Sequence, residues 1–215
     1  MSVWTIVVAG GTGTRFGGDQ PKQFVEVAGR RVVDWSVAAA ASVSDGVVLV
    51  VPETLVGDTT VAGADVVVAG GASRSGSVRA GLAEVPADAD IVLIHDAARP
   101  AASASLFELV VEAVLAGAAG VIPGVPVTDT IKMVDEDGVV YETLPREELV
   151  AVQTPQAFRA DVLRQVHKGD PEATDDAALV ELAGGIVMVV PGEPGNLKLT
   201  VPADLDRLAE TLQRT

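Results

Sequence analysis

Cysteine is absent from the 215 residues, which removes disulfides, thiolate metal sites and cysteine nucleophiles together. Long apolar runs are missing as well. No stretch of about 18 or more apolar residues is free of charges or turn formers, and Met1-Ser2-Val3-Trp4 places no basic segment ahead of an apolar one. A membrane span and a signal peptide are therefore not expected, and a cytoplasmic location is. Positive charge is scarce. Fifteen Lys and Arg face thirty Asp and Glu, a formal charge of -15, and such a chain repels nucleic acid and anionic membranes, which bind through cationic footprints. A site for a small anionic ligand would have to gather its cations locally, so their positions are informative.

A 48% hydrophobic content is enough for a substantial core, and the expectation is one domain over residues 1–215. Short Val/Ile/Ala-rich runs at Thr5 to Ala9, Val47 to Val51, Asp65 to Ala69, Ile91 to Ile94, Gly120 to Ile122 and Ile186 to Val190 read as strands buried on both faces, hence a parallel sheet. Helical spacing fills the gaps at Val32 to Val43, Ser77 to Ala83, Ser103 to Leu115, Asp161 to His167, Asp175 to Leu182 and Asp204 to Leu212. The alternation predicts an α/β fold with helices on both faces of the sheet. One stretch breaks it. Val125 to Val152 carries the runs Thr130 to Val134 and Val139 to Thr143 around Asp135-Glu136-Asp137-Gly138, which predicts a protruding antiparallel β-arm. A two-stranded ribbon is marginal alone in water, so docking on a second subunit is expected.

The first strand runs directly into Ala9-Gly10-Gly11-Thr12-Gly13-Thr14-Arg15-Phe16-Gly17-Gly18. In a parallel sheet this is the carboxyl edge, where ligands bind, and glycines let backbone N–H groups approach phosphate oxygens without a Cβ in the way. Taken alone, a glycine cluster is better read as a tight connection that needs positive φ angles. Arg15 and the nearby Pro21-Lys22-Gln23-Phe24 favour the ligand reading, because two cations beside a nest of donors suit a polyphosphate. A Walker A loop would end in Gly-Lys-Ser/Thr, and a dinucleotide loop would have glycine where Phe16 stands, with an acidic residue about 20 positions on; neither pattern is present.

Later strand ends carry similar chemistry. Gly70-Gly71-Ala72-Ser73-Arg74-Ser75-Gly76-Ser77-Val78-Arg79 follows the third run; Ser77 is either a helix N-cap or a ligand contact, and Arg79 is read as a solvated helix face. His95-Asp96-Ala97-Ala98-Arg99-Pro100 ends the fourth. Alternation sends His95 and Asp96 to opposite faces. Asp96 at the strand tip is the candidate ligand for Mg²⁺ or another divalent cation, which takes carboxylate oxygen together with substrate phosphates, and His95 is read as a satisfied core residue. His167 falls on a late polar helix and is expected to be exposed. Thr174 is a plausible N-cap with Asp175 and Asp176 favouring the helix dipole, and Arg146 can pair with Glu147 or Glu148. Lys198 is one of only four lysines and sits inside the apolar run Leu197-Lys198-Leu199, an odd place for a merely solvated charge, which favours a functional role.

Eight blocks in order carry a family resemblance: Ala9 to Arg15, Pro21 to Phe24, Gly70-Gly71 with Arg74 and Ser77, His95 to Pro100, Thr128-Asp129-Thr130-Ile131-Lys132, Thr154-Pro155-Gln156, Thr174-Asp175-Asp176 and Leu197-Lys198-Leu199-Thr200. Together they resemble the 2-C-methyl-D-erythritol 4-phosphate cytidylyltransferases of the non-mevalonate isoprenoid pathway, nearly end to end. The resemblance implies a Rossmann-like domain and a homodimer joined through the arm. It implies that Ala9, Gly10, Gly11, Thr12, Gly13, Arg15 and Lys22 hold the CTP triphosphate, and that Arg15, Lys22 and Lys198 are catalytic. Gly71, Arg74 and Ser77 would belong to the nucleotide site, with Gly71 and Ser77 reading the cytosine, and Asp96 and Ala97 would lie near ribose and metal. Arg99, Thr130, Arg146, Thr154, Thr174 and Lys198 would surround the polyol phosphate acceptor, Thr130 and Arg146 coming from the partner's arm. Val8 stands where the family usually has proline, and Ala72 where some members carry aspartate.

In the implied reaction the acceptor phosphate attacks the α-phosphorus of CTP and pyrophosphate leaves. A phosphomonoester with a second pKa of about 6 is mostly dianionic at neutral pH and needs no side-chain base, which suits a chain without a convincing Ser-His-Asp set. Rival readings are ribitol 5-phosphate cytidylyltransferase, against which Ala97-Ala98-Arg99-Pro100 argues, a non-catalytic nucleotide-binding regulator, and a nicotinamide-dependent oxidoreductase, which the glycine spacing disfavours.

Overall fold

The computed structural model describes residues 1–11, 16 and 21–214. Strand β1 (Val3–Val8) is followed by a small hairpin of β2 (Glu26–Val27) and β3 (Arg30–Arg31), then α1 (Val32–Ala41), β4 (Gly46–Val51), β5 (Val66–Ala69), α2 (Arg74–Glu84) and β6 (Ile91–Asp96). The second half contains α3 (Ala104–Leu115), β7 (Gly120–Pro126), β8 (Ile131–Val134), β9 (Val140–Leu144), β10 (Val150–Val152), β11 (Gln156–Arg159), α4 (Ala160–Val166), α5 (Asp176–Leu182), β12 (Val187–Pro191) and α6 (Asp204–Leu212). The main sheet runs β7-β11-β6-β1-β4-β5, with β12 parallel to β7. β1 pairs in parallel with β4 and β6, and β4 with β5; β11 is antiparallel to both neighbours.

Period-two alternation on the central strands decides which helix each side chain meets. Val3 and Val7 of β1, Leu49 and Val51 of β4 and Ile91 and Leu93 of β6 pack with Val33 and Val37 of α1 and Phe107 and Val110 of α3. Ile6, Val48, Val50, Val92 and Ile94 pack on the other face with Val78 and Leu82 of α2, Leu163 of α4 and Val180 of α5. Continuous apolar strands are thus covered on both sides, as the sequence pattern predicts. A third cluster, Val27, Val32, Ala98, Leu199, Leu208 and Leu212, seats α6 against one end of the sheet.

The arm differs from its sequence reading at both ends. Only β8 and β9 form the separate hairpin, closed where the Asp135 carboxylate accepts the Asp137 and Val139 N–H groups at 3.1 and 2.8 Å and Gly138 takes φ +80°. The stems belong to the main sheet: Val150 to Val152 pair antiparallel with Gly124 to Pro126. β10 and β11 then run as two successive pieces along β7, a strand pair the alternation rule did not anticipate because Gln153-Thr154-Pro155 interrupts it. Helix starts also move. Ser73, not Ser77, caps α2 by accepting Gly76 N–H at 2.9 Å, and Asp175, not Thr174, caps α5 by accepting Ala178 N–H at 3.0 Å. Among the described residues no helix is long and apolar enough to cross a membrane.

Helix α2 lies unusually close to the sheet. A Cβ on Gly81 would come 2.5 Å from Ile6 Cγ2 and 3.0 Å from Val50 Cγ2. Gly81→Ala should therefore destabilise the fold although alanine is the better helix former by about 1 kcal/mol, because overpacking costs about 1 to 3 kcal/mol. A lower urea midpoint is expected; an unchanged or higher one would mean that α2 can lift away from β1 and β4 without loss.

Candidate active site

Three strand tips and one late loop meet at the carboxyl edge of the parallel strands. After β1, Ala9 N–H donates to Val50 O at 2.7 Å, and the buried Gln23 amide donates to Ala9 O and, at 3.0 Å, to Gly11 O. Gln23 thereby ties the glycine turn to the short 3₁₀ turn Lys22–Phe24 that carries Lys22. After β5 the chain passes so near α2 that a Cβ on Gly71 would sit 2.7 Å from the Gly76 carbonyl carbon; only glycine fits. The Ser77 hydroxyl donates to Ser73 O at 2.9 Å. β6 ends on Asp96. The late loop is shaped by Asp204, whose carboxylate accepts Thr200 N–H at 2.7 Å and Val201 N–H at 2.9 Å. Lys22, from the far end of the sequence, donates to Leu199 O.

These segments enclose a cavity of about 460 Å³ lined by Ala9, Gly10, Gly11, Lys22, Gly71, Arg74, Ser77, Asp96, Ala97 and Lys198, with Val8, Phe16, Gln23, Ala72, Ser73, Ala98 and Thr200 completing the wall. Its charges alternate. Lys198 Nζ lies 2.5 Å from Asp96 Oδ2, Arg74 Nε 3.7 Å from Asp96 Oδ1, and Arg74 Nη1 2.8 Å from Asp176 Oδ2. Burial alone would raise the Asp96 carboxyl, but Lys198, then Arg74 and Arg99, outweigh it and hold it below the usual carboxylate value. Burial likewise opposes the Arg74 cation, and Asp176, Asp96 and Asp175 more than compensate. The result is a concave site with glycine backbone in its lining and ionic side chains on its walls, a form that suits a phosphorylated anion.

A family model described as "IspD: 2-C-methyl-D-erythritol 4-phosphate cytidylyltransferase" matches residues 3–214. The chain belongs to this family. The 2-C-methyl-D-erythritol 4-phosphate cytidylyltransferase of Rhodococcus jostii (strain RHA1) is 49% identical over 94% of this chain and 92% of its own length. A bifunctional enzyme IspD/IspF of Solidesulfovibrio magneticus is 47% identical over 98% of this chain, and the chain spans 57% of that longer protein. Among solved structures, the 2-C-methyl-D-erythritol 4-phosphate cytidylyltransferase of Thermus thermophilus superposes with a TM-score of 0.79 at 35% identity, covering 100% of this chain and 99% of that one. IspD proteins are cytidylyltransferases, and membership favours none of the rival readings.

The IspD cavity brings together Ala9, Gly10, Gly11, Lys22, Gly71, Arg74, Ser77, Asp96, Ala97 and Lys198; Thr12, Gly13 and Arg15 lie outside the described residues. Of the residues expected around the acceptor, Lys198 lines the cavity and the other five lie elsewhere. Arg99 donates to Asn196 O at 2.8 Å and Val152 O at 3.2 Å. The Thr154 hydroxyl accepts Asp96 N–H at 3.0 Å, and Thr174 precedes the cap of α5. Thr130 and Arg146 are exposed at the arm, Arg146 donating to Thr128 O at 2.9 Å and pairing with Glu147 at 3.4 Å. Two surface readings are overturned. His167 is buried, with Nε2 3.0 Å from Asp176 Oδ1, since the polar-looking helix end packs under α5. Arg79 is not merely solvated: it grips Asp170 at 3.2 Å, Glu172 at 3.0 Å and Pro171 O at 2.7 Å. Sequence reasoning missed Gln23, Ser73 and Thr200 as wall residues; adjacency to Lys22, Arg74 and Lys198 was the available signal.

His95 is fully buried against Phe107, as a core residue should be. Nε2 faces Arg99 O and Nδ1 faces the Thr154 hydroxyl, each at 3.2 Å. A carbonyl only accepts, so Nε2 carries the proton, and the Thr154 hydroxyl, already accepting from Asp96, donates to Nδ1. The ring thus braces the backbone beneath Asp96. Burial, helped by Arg99 and opposed by Asp96, lowers its pKa to about 4. An unfolded histidine titrates near 6.5, so between about 6.5 and 4 the unfolded chain binds a proton that the folded chain does not. His95 therefore contributes stability that is complete above about pH 6.5 and drains away as pH falls toward 4. The urea midpoint should drop between pH 7 and pH 5, and His95→Gln should flatten that drop; a wild-type midpoint constant across this window would contradict the neutral buried ring.

Proposed function

We propose that the chain transfers CMP from CTP to 2-C-methyl-D-erythritol 4-phosphate, giving 4-diphosphocytidyl-2-C-methyl-D-erythritol and pyrophosphate. The observation that carries the reading is the convergence of Lys22, Lys198, Arg74 and Asp96 on one glycine-floored cavity in a chain of this family. Attack of one phosphate on another opposes two anions, at about 4 kcal/mol per unit-charge pair roughly 4 Å apart in a partly screened site. Lys22 and Lys198, with Arg15, offset that repulsion and hold the reacting groups in line, so catalysis is by position and electrostatics. No imidazole is needed. The chain's two histidines are both buried and engaged, His95 with Thr154 and Arg99 O, His167 with Asp176, which agrees with an acceptor phosphate that arrives already ionised.

Asp96 fits a divalent cation of the Mg²⁺ type. That ion keeps several waters and is usually held by one or two carboxylates plus substrate phosphates, and among the described residues there is no cluster of three acidic or histidine ligands that would make a cage. Asp96 would hold the ion and Lys198 would exchange its carboxylate partner for phosphate. Bound there, the cation would supply further charge neutralisation on the triphosphate.

The acceptor half of the site is proposed to be completed across a homodimer, with Thr130 and Arg146 reaching the partner's cavity. Support comes from the hairpin itself, whose Val134, Val140 and Tyr141 are 52%, 51% and 60% exposed; apolar side chains on a marginal ribbon mark a contact surface.

Pyrophosphate release, assayed with CTP and either 2-C-methyl-D-erythritol 4-phosphate or ribitol 5-phosphate, tests the reading: turnover with the first is expected, and turnover only with the second would overturn it. Lys22→Ala should lower kcat on the order of a hundredfold or more while circular dichroism shows the fold retained; unchanged turnover would remove Lys22 from the mechanism. Arg146→Ala should raise KM for the acceptor with calorimetric CTP affinity intact, and lost CTP affinity would move Arg146 to the nucleotide side.

A further inference from the structure

We infer that His167 is a positioning residue for the nucleotide site, acting through Asp176 to hold the Arg74 guanidinium in the cavity wall. The inference rests on the proposal that this cavity takes CTP. His167 belongs to no block of the family resemblance and is not among the residues that line the cavity. It ends α4, where its N–H donates to Leu163 O at 3.2 Å, and its side chain is 3% exposed against an Asp176 side chain at 0%. A carboxylate only accepts, so Nε2–H donates to Asp176 Oδ1 at 3.0 Å while the other oxygen takes Arg74 Nη1 at 2.8 Å. The second ring nitrogen is buried without a partner among the described residues.

That orphan nitrogen is the telling feature. Burying a polar atom unpaired is costly, and a leucine would fill the space without the cost, so the imidazole is kept for the one hydrogen bond its ring makes among the described residues, to Asp176. Asp176 in turn passes the contact on to Arg74. Arg74 stands between two carboxylates, 2.8 Å from Asp176 and 3.7 Å from Asp96. Fixing Asp176 keeps Arg74 on the wall; loosening it releases Arg74 toward Asp96, where it would compete with Lys198 and with anything Asp96 is to bind. The surrounding segment does not depend on His167 for docking, because Arg79 holds Asp170, Pro171 and Glu172, and Ser75 meets Ala173 N–H at 3.3 Å.

The test compares two polar substitutions that differ in reach. The amide nitrogen of His167→Gln can stand where Nε2 stands; that of His167→Asn falls short of Asp176. With CTP and Mg²⁺ as the probe in calorimetry, His167→Gln is expected to keep Kd within about twofold and His167→Asn to weaken it about tenfold, the scale of one hydrogen bond to a charged group. KM for CTP should rise in parallel with KM for the acceptor unchanged. In an Arg74→Ala background the Gln and Asn variants should bind CTP alike, since the residue being positioned is gone. Equal affinities of the two variants with Arg74 present, or the same tenfold gap without it, would overturn the inference. Wild-type protein that binds no CTP would instead overturn the functional reading on which it rests.

Discussion

A row of alternating charges crosses the interior edge of this molecule, and the rest of the site is arranged to keep it. Lys198, Asp96, Arg74 and Asp176 follow one another at hydrogen-bonding or ion-pair distance, and a ring N–H of His167 meets the far oxygen of Asp176. Asp176 is wholly buried and Asp96 and Arg74 are partly so, and each charge taken out of water is offset by the next one in the row. The chain's overall acidity makes the arrangement more pointed. Cations that elsewhere would scatter over the surface are here anchored by carboxylates where an anion is to bind.

The fold supplies the coincidence of place. Parallel pairing of β1, β4, β5 and β6 sets Gly10, Gly71 and Asp96 at one edge of the sheet, and the packing of α6 on Val27, Val32 and Ala98 brings Leu199, with Lys198 beside it, to the same edge. Lys22 closes the ring by donating to Leu199 O, a contact spanning 177 residues of sequence. Beneath the floor, His95 and Thr154 settle the one strand end where acidity matters most. The Thr154 hydroxyl is occupied there on both sides, by Asp96 N–H and by the ring, so its place in the free protein is under the carboxylate.

Much of this was legible in the residues. Uninterrupted Val and Ile runs announced strands covered on both faces, the glycine clusters marked two of the three strand tips, and a lysine inside Leu197-Lys198-Leu199 was out of place for any other reason. What stayed hidden was set by tertiary contact. His167 and Arg79 look like solvent-facing groups on polar helices, and nothing local says that residues 170–176 fold back over both. The four residues of β11, Gln156–Arg159, alternate no more strongly than a loop; burial between β6 and β7 makes them a strand. At the arm the opposite holds, since β-rich residues read alike whether they project, as β8 and β9 do, or join the main sheet, as β10 does.

The close passage of Gly71 against Gly76 has an evolutionary corollary. Where the wall of a binding site is main chain, its shape is shared by every sequence that keeps the turn, and there is no side chain there to enlarge, shrink or recharge. A change in what the cavity accepts would have to come from side chains elsewhere in its wall, such as Ala72, Ser73 or Thr200, or from re-routing the chain altogether. Such a wall resists adaptation, because a change of its shape requires moving the backbone after β5 or the start of α2 rather than exchanging a side chain.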